Sequence, residues 1–369
     1  MGTGLRLRMP PELLDGGNLH EGVARMNRRR LTNLAVNGAL ALAVTVAGLG
    51  LVEAWFRYRP GAVKPFYLMD DELGWVHRPN LRVANPIEGV AVTVETDARG
   101  MRPPFHPNDA GGLPRVLLLG DSFADGMEVN AADHFATLIQ RDRTHLEIHN
   151  GAVAAYSTLQ EVLLARRLEP RLRPAARVLF VYANDVHDNP SPYFPLLGPR
   201  PWIDLDGRRR PVEWDLFAPS LPPVPFAVWL HRHSVAFVRA ETAWARHRRA
   251  AEAARAWSWA NRWPLAQRWA VLRDLVGELG TMGPLLLVAC PAKGEVERRT
   301  SPTSTNVVAI GTALGIPVVD LSGVLRPEHF WRENIHWNAE GHRVVAAAVV
   351  PALDALLARA SSATRDRGS

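Results

Sequence analysis

Ser122, Asn184, Glu333 and His336 are the residues whose types and settings could assemble nucleophilic chemistry. A serine hydroxyl attacks poorly until a neighbouring base takes its proton. Such a base is a histidine whose ring is held by a carboxylate, and the charge that develops on attack needs N–H donors nearby. Ser122 lies in "RVLLLGDSFADG", where four apolar residues run into Gly-Asp-Ser as a buried strand ends in a sharp turn. His336 lies in "FWRENIHWNAEGH", with Glu333 three residues before it, a spacing that lets a carboxylate bend back to the imidazole. Asn184 in "YANDVHDN" offers an amide, and "HNGAVAAYST" offers a turn with main-chain N–H groups.

Each of these segments follows a short apolar run. Such runs occur at 115–120, 146–150, 177–184, 284–290 and 316–321, and they alternate with helical patterns at about 131–143, 157–170, 264–280, 303–314 and 338–358. Strand–helix alternation predicts a five-stranded parallel sheet covered on both faces, a three-layer α/β/α sandwich with right-handed crossovers. In such sheets ligands collect at the carboxyl ends of the strands, which is where the four candidates emerge. Asp121, Asp125, Asp185, Asp320 and His342 read as turn, cap or packing residues, as does His187.

In this order the blocks resemble the SGNH hydrolases of the GDSL type. Gly120-Asp121-Ser122, Asn184-Asp185 and His336 with its "WNAEGH" sequel match three of that family's blocks across roughly 115–358. "LGWVHRPN" and "TDARGMR" are similar to segments that precede this domain in membrane-anchored bacterial members. The resemblance implies a flavodoxin-like fold and an acyl-enzyme mechanism, with Ser122 as nucleophile and His336 as base. Ser122, Ala155 and Asn184 would then form the oxyanion hole. Two positions depart from the pattern. The oxyanion glycine is Ala155, which a φ above zero would strain by about 1 kcal/mol, with Gly151 as the other candidate donor. The usual Asp is Glu333, and Asn334 could instead take the orienting place. No cofactor is implied.

The resemblance implies an ester hydrolase acting on O-acyl groups of a glycan or on a short-chain ester. An O-acyltransferase acting on envelope polysaccharide uses the same triad, and a catalytically silent glycan-binding module is a third reading.

The remaining sequence bounds the setting. The 369 residues are 47% hydrophobic and 22% charged, which suits a sizeable core and argues against wholesale disorder. The net charge is +6, yet lysine occurs only at Lys64 and Lys293, and no nucleic-acid-binding signature accompanies the arginines. Cys290 is the single cysteine, and the thirteen histidines form no metal-ligand spacing. Residues 31–52 carry no charge, follow Arg28-Arg29-Arg30, and have the length of a membrane-crossing helix. The positive-inside rule then leaves residues 1–30 as a cytoplasmic leader and puts the rest of the chain outside. Residues 55–112 read as an irregular β extension, with Val90, Val92 and Val94 alternating as on a half-buried strand. Residues 190–263 are an insertion with a hairpin at "WIDLDGRRRPVEW" and a Trp- and Arg-rich helical stretch, and 359–369 reads as a disordered tail. Nothing in the sequence requires a multimer.

Overall fold

The computed structural model describes residues 16–58, 66–106, 112–195, 197–213, 261–366 and scattered positions between 226 and 259. The chain divides into two compact units, at residues 62 and 63.

The first unit contains one long helix, α1 (Gly16–Tyr58). It starts within the expected leader, since nothing between Gly16 and the apolar run breaks a helix. The segment Arg30–Tyr58 has a mean hydropathy of 2.0, is long enough to cross a membrane, and has no buried part. Residues 31–52 are exposed throughout.

The second unit holds both the extension and the sheet domain. The extension forms two antiparallel pairs. β1 (Tyr67–Asp70) lies against β2 (Gly74–His77), and β3 (Arg82–Ala84) against β4 (Thr93–Glu95). Val92 and Val94 are buried, but the strand is shorter than the alternation suggested, and Val90 sits exposed in the turn.

The central sheet consists of β5 (Arg115–Leu119), β6 (Glu147–Asn150), β7 (Ala176–Tyr182), β12 (Leu285–Cys290) and β13 (Val318–Asp320). Its order is β13-β12-β7-β5-β6, and every pairing is parallel. The strand period of two sends alternate residues to opposite faces. Leu117, Leu119, Leu179, Val181 and Leu287 pack under α4 (Thr158–Leu172), α6 (Leu265–Thr281) and α8 (Pro302–Leu314). Val116, Leu118, Val178, Phe180 and Val288 pack under α3 (Phe135–Asp142) and α9 (Ala339–Asp366). The result is the three-layer sandwich expected from the sequence.

Helix α9 continues to Asp366 where a disordered tail was expected, because Ala and Ser after 358 do not interrupt it. In the insertion, β8 (Tyr193–Phe194) pairs with β9 (Gly198–Pro199), and the expected hairpin is β10 (Trp202–Ile203) against β11 (Arg209–Arg210). Most of the Trp- and Arg-rich stretch lies outside the described residues.

The strand order reverses between β5 and β7, since the chain leaves β5 for one edge and leaves β7 for the other. Ligand crevices form at such switch points, outside the carboxyl ends of the strands. Ser122 follows β5 and Asn184 follows β7.

Candidate active site

Gly120 follows β5 with φ +156 and lies against Phe180; a Cβ there would come within 2.7 Å of the Ala124 side chain and 3.0 Å of Phe180 Cβ. The chain therefore turns sharply into the single-turn helix α2 (Ser122–Asp125). Asp121 caps it, its carboxylate accepting the Phe123 N–H at 3.0 Å. Gly126, at φ +61, ends it after one turn.

Ser122 Oγ lies 2.8 Å from His336 Nε2. On the other side of the ring, Nδ1 lies 2.7 Å from Asn334 Oδ1 and 3.1 Å from Glu128 Oε1. An amide oxygen and an ionised carboxylate can only accept, so Nδ1 carries the hydrogen and Nε2 is left to accept from the Ser122 hydroxyl. Asn334 Oδ1 also accepts the His336 main-chain N–H at 2.9 Å, which ties the ring to its own loop. Phe123 packs on the imidazole with ring centroids 4.9 Å apart. Burial alone would lower the histidine pKa. The hydrogen bond and charge of Glu128, with Asp121 and Asp125 behind, outweigh it and hold His336 above its ordinary value.

The orienting carboxylate is thus not Glu333. That side chain is 72% exposed, pairs with Arg332 at 2.8 Å, and does not touch His336. Its own N–H and those of Arg332 and Asn334 are bound by Glu88, and its side chain points to solvent. Glu128 went unrecognised because it belongs to the segment just after Ser122. It reaches the histidine only because α2 stops at Gly126.

The turn 151–156 is tied down at nearly every polar group. Gly151 N–H donates to Leu118 O, Val153 N–H to Gly120 O, and Ala154 N–H to Asp125 Oδ2. Trp75 Nε1 donates to Ala154 O at 3.1 Å and Arg200 Nη1 to Ala155 O at 3.2 Å. Gly151 is therefore spent as a donor. Among the described residues, the Ala155 N–H and the Ser122 N–H have no acceptor. Ala155 adopts φ +63, the left-handed conformation a glycine would take without strain.

Asn184 departs from expectation. Its Nδ2 donates to Asp188 Oδ2 at 2.7 Å, its amide also hydrogen-bonds to Asp121, and its buried Oδ1 has no partner. In this arrangement the amide hydrogens serve two carboxylates.

Those carboxylates belong to a buried acidic group. Burial pushes Asp121 up to about 7, with Asp188 adding to the rise, while the Phe123 N–H, His336 and Asn184 oppose it. Burial and mutual repulsion hold Glu161 and Asp185 well above the usual carboxylate range. Asp125 goes the other way. Burial would raise it, but His77 Nε2 at 3.0 Å and Arg102 Nε at 2.8 Å keep it below that range. His342 is buried and neutral, its pKa lowered to about 3 by burial and by Arg102, and its Nδ1 accepts the Phe135 N–H.

The extension reaches α2, the segment after it, the 151–156 turn and the loop of His336. Arg102 and His77 hold α2 through Asp125, and Asn85 Nδ2 donates to Met127 O at 2.8 Å beside Glu128. Thr93 N–H donates to Asn130 Oδ1 at 2.9 Å. Glu88 accepts main-chain N–H groups from the loop that carries His336. No group of histidines, cysteines and carboxylates among the described residues could hold a metal ion.

No protein-family model matches the chain, and no curated protein is similar to it in sequence. Among solved structures, TesA is similar with a TM-score of 0.40 at 14% identity, covering 66% of this chain and 99% of that one. A lipase/acylhydrolase from Enterococcus faecalis aligns with a TM-score of 0.35 at 14% identity, over 65% and 95% of the two chains. The psychrotrophic esterase EstA from Pseudoalteromonas sp. gives 0.39 at 10% identity, over 66% and 98%.

Proposed function

We propose that this chain is a serine ester hydrolase working through an acyl-enzyme, with a small O-acyl group on a glycan or a short-chain ester as substrate. The observation that carries the reading is the relay from Ser122 Oγ to His336 Nε2 at 2.8 Å, with Nδ1 held by Asn334 and Glu128. His336 takes the Ser122 proton as Oγ attacks the acyl carbonyl carbon. The carbonyl oxygen, now negative, is met by the unengaged N–H groups of Ser122 and Ala155. Asn184 joins them once its amide turns from Asp188 toward the new charge. Protonated His336 then gives its proton to the leaving alcohol. Water attacks the acyl-enzyme by the same base, and the acid leaves. Helix α1 would anchor the chain in a membrane, with the sheet domain on the extracytoplasmic side, a reading supported by its exposed apolar run and the arginines before it.

The full chain in detergent, treated with a fluorophosphonate probe beside its Ser122→Ala variant, tests this reading. Labelling confined to the Ser122 peptide and absent from the variant is expected. A folded wild-type chain that stays unlabelled would refute it. Ester turnover should fall by about three orders of magnitude or more in the variant.

A further inference from the structure

Residues 331–336 have no regular secondary structure, yet they carry Asn334 and His336. Such a loop holds a ring to within a few tenths of an ångström only if its main chain is fixed from outside. Two charged side chains from distant parts of the unit do so. Glu88, in the turn between β3 and β4, accepts three successive N–H groups: Arg332 at 3.0 Å on Oε2, Glu333 at 2.7 Å and Asn334 at 3.1 Å on Oε1. Lys293 begins α7 (Lys293–Arg298) after β12, and its Nζ donates to Trp331 O at 2.7 Å and Arg332 O at 2.6 Å.

The two charges match the polarity of the groups they meet. The anion takes only N–H groups and the cation only carbonyls, so every contact is a charge-assisted hydrogen bond. The peptide between Trp331 and Arg332 is gripped at both ends, its carbonyl by Lys293 and its N–H by Glu88. The loop closes on itself through Trp331 N–H to His336 O at 3.0 Å, the Phe330–Trp337 bridge and the Asn334 side chain on His336, whereas the main-chain N–H groups of 332–334 are met from outside, by Glu88. Glu88 itself sits at φ +47 in a tight Ile87–Val90 turn, a strained placement for a non-glycine residue whose side chain must point at the loop.

We propose that Glu88 and Lys293 are positioning residues for His336. They form a two-sided clamp that sets the 331–334 main chain, and through Asn334 the ring that faces Ser122. The extension is then part of the active centre and not only a spacer. This inference rests on His336 acting as the base.

The test uses the full chain in detergent, with Glu88→Ala, Glu88→Gln and Lys293→Met. Amide hydrogen exchange at 332–334 should accelerate in Glu88→Ala, while exchange in β5 and β7 stays as in wild type. On a short-chain ester, kcat should fall by about 10-fold in Glu88→Ala and in Lys293→Met with KM unchanged, the signature of a misplaced base. Glu88→Gln, which keeps one acceptor oxygen, should recover part of the loss. Unchanged exchange at 332–334 overturns the clamp. Faster exchange with unchanged kcat overturns the positioning role. If wild type is not labelled at Ser122, the hydrolase reading fails separately, and the exchange data still decide the clamp.

Discussion

Glu128 Oε1 lies 3.1 Å from His336 Nδ1, on the far side of the ring from Ser122, while Glu333 faces solvent beside Arg332. The carboxylate that meets the histidine thus comes from the loop after Ser122, and the one three residues before the histidine does not meet it. Because Asn334 Oδ1 is closer to the same nitrogen, orientation and charge are divided between two residues.

That division gives a pH prediction. In the proposed reaction His336 must be neutral to take the Ser122 proton, and Glu128 is what holds its pKa above the ordinary value. The acid limb of the kcat/KM profile should therefore have its midpoint above about 6.5 in wild type. Glu128→Gln removes the anion, so the midpoint should move to lower pH while the plateau drops. The ring keeps Asn334, so the loss should be partial, about 10- to 100-fold. Glu333→Gln should leave both midpoint and plateau unchanged, because an exposed ion pair contributes little. Profiles of the three proteins on one ester check this, and a larger loss in Glu333→Gln than in Glu128→Gln would reverse the assignment.

Ala155 gives a second prediction. At φ +63 it carries a left-handed cost of about 1 kcal/mol or more, and in the proposed reaction it would contribute a main-chain N–H that any residue but proline supplies. Ala155→Gly relieves that cost but frees the unfolded chain by about 0.4–1 kcal/mol. The two nearly cancel, so urea unfolding should shift by less than about 1 kcal/mol and ester turnover should be kept. Ala155→Val, branched at Cβ, should lower both stability and kcat. Full activity in the valine variant would show that the turn tolerates another backbone conformation.

The sheet was legible because its strands are unbroken Leu and Val runs such as 116–119 and 285–288, and burial on both faces demands that composition. The approach of Ser122 to His336 was legible as well, since each lies beyond the carboxyl end of a strand and the fold rule sends both to one rim. Glu128 was not, because its approach depends on α2 ending after a single turn and on Asn85 holding Met127. Glu88 and Lys293 meet the histidine loop through tertiary contacts between segments far apart in the chain, and local patterning carries no trace of such contacts. Asn184 was correctly placed at the end of β7, but its amide answers to Asp188 and Asp121, whose burial the sequence does not reveal. The sign of φ at Ala155 is likewise set by its surroundings, since Asp125, Trp75 and Arg200 fix the peptides on either side.

The buried acids beneath Ser122 predict how stability depends on pH. Asp121 titrates at about 7 in the folded chain, and Asp185 and Glu161 are raised as well. In the unfolded chain such groups titrate near about 4. Between those values the native state holds more protons than the unfolded state, so stability falls as pH rises from about 4 to about 7. Above about 7 the contribution of Asp121 is fully lost and its slope ends. Asp121→Asn removes this ionisation while its amide oxygen can still accept the Phe123 N–H as a cap. Urea unfolding of the variant should show a shallower decline over that interval than wild type. It should also lower the His336 pKa, since Asp121 is one of the charges that raise it. Equal slopes in the two proteins would mean that Asp121 stays ionised in the fold, with Asn184 and the Phe123 N–H compensating its charge.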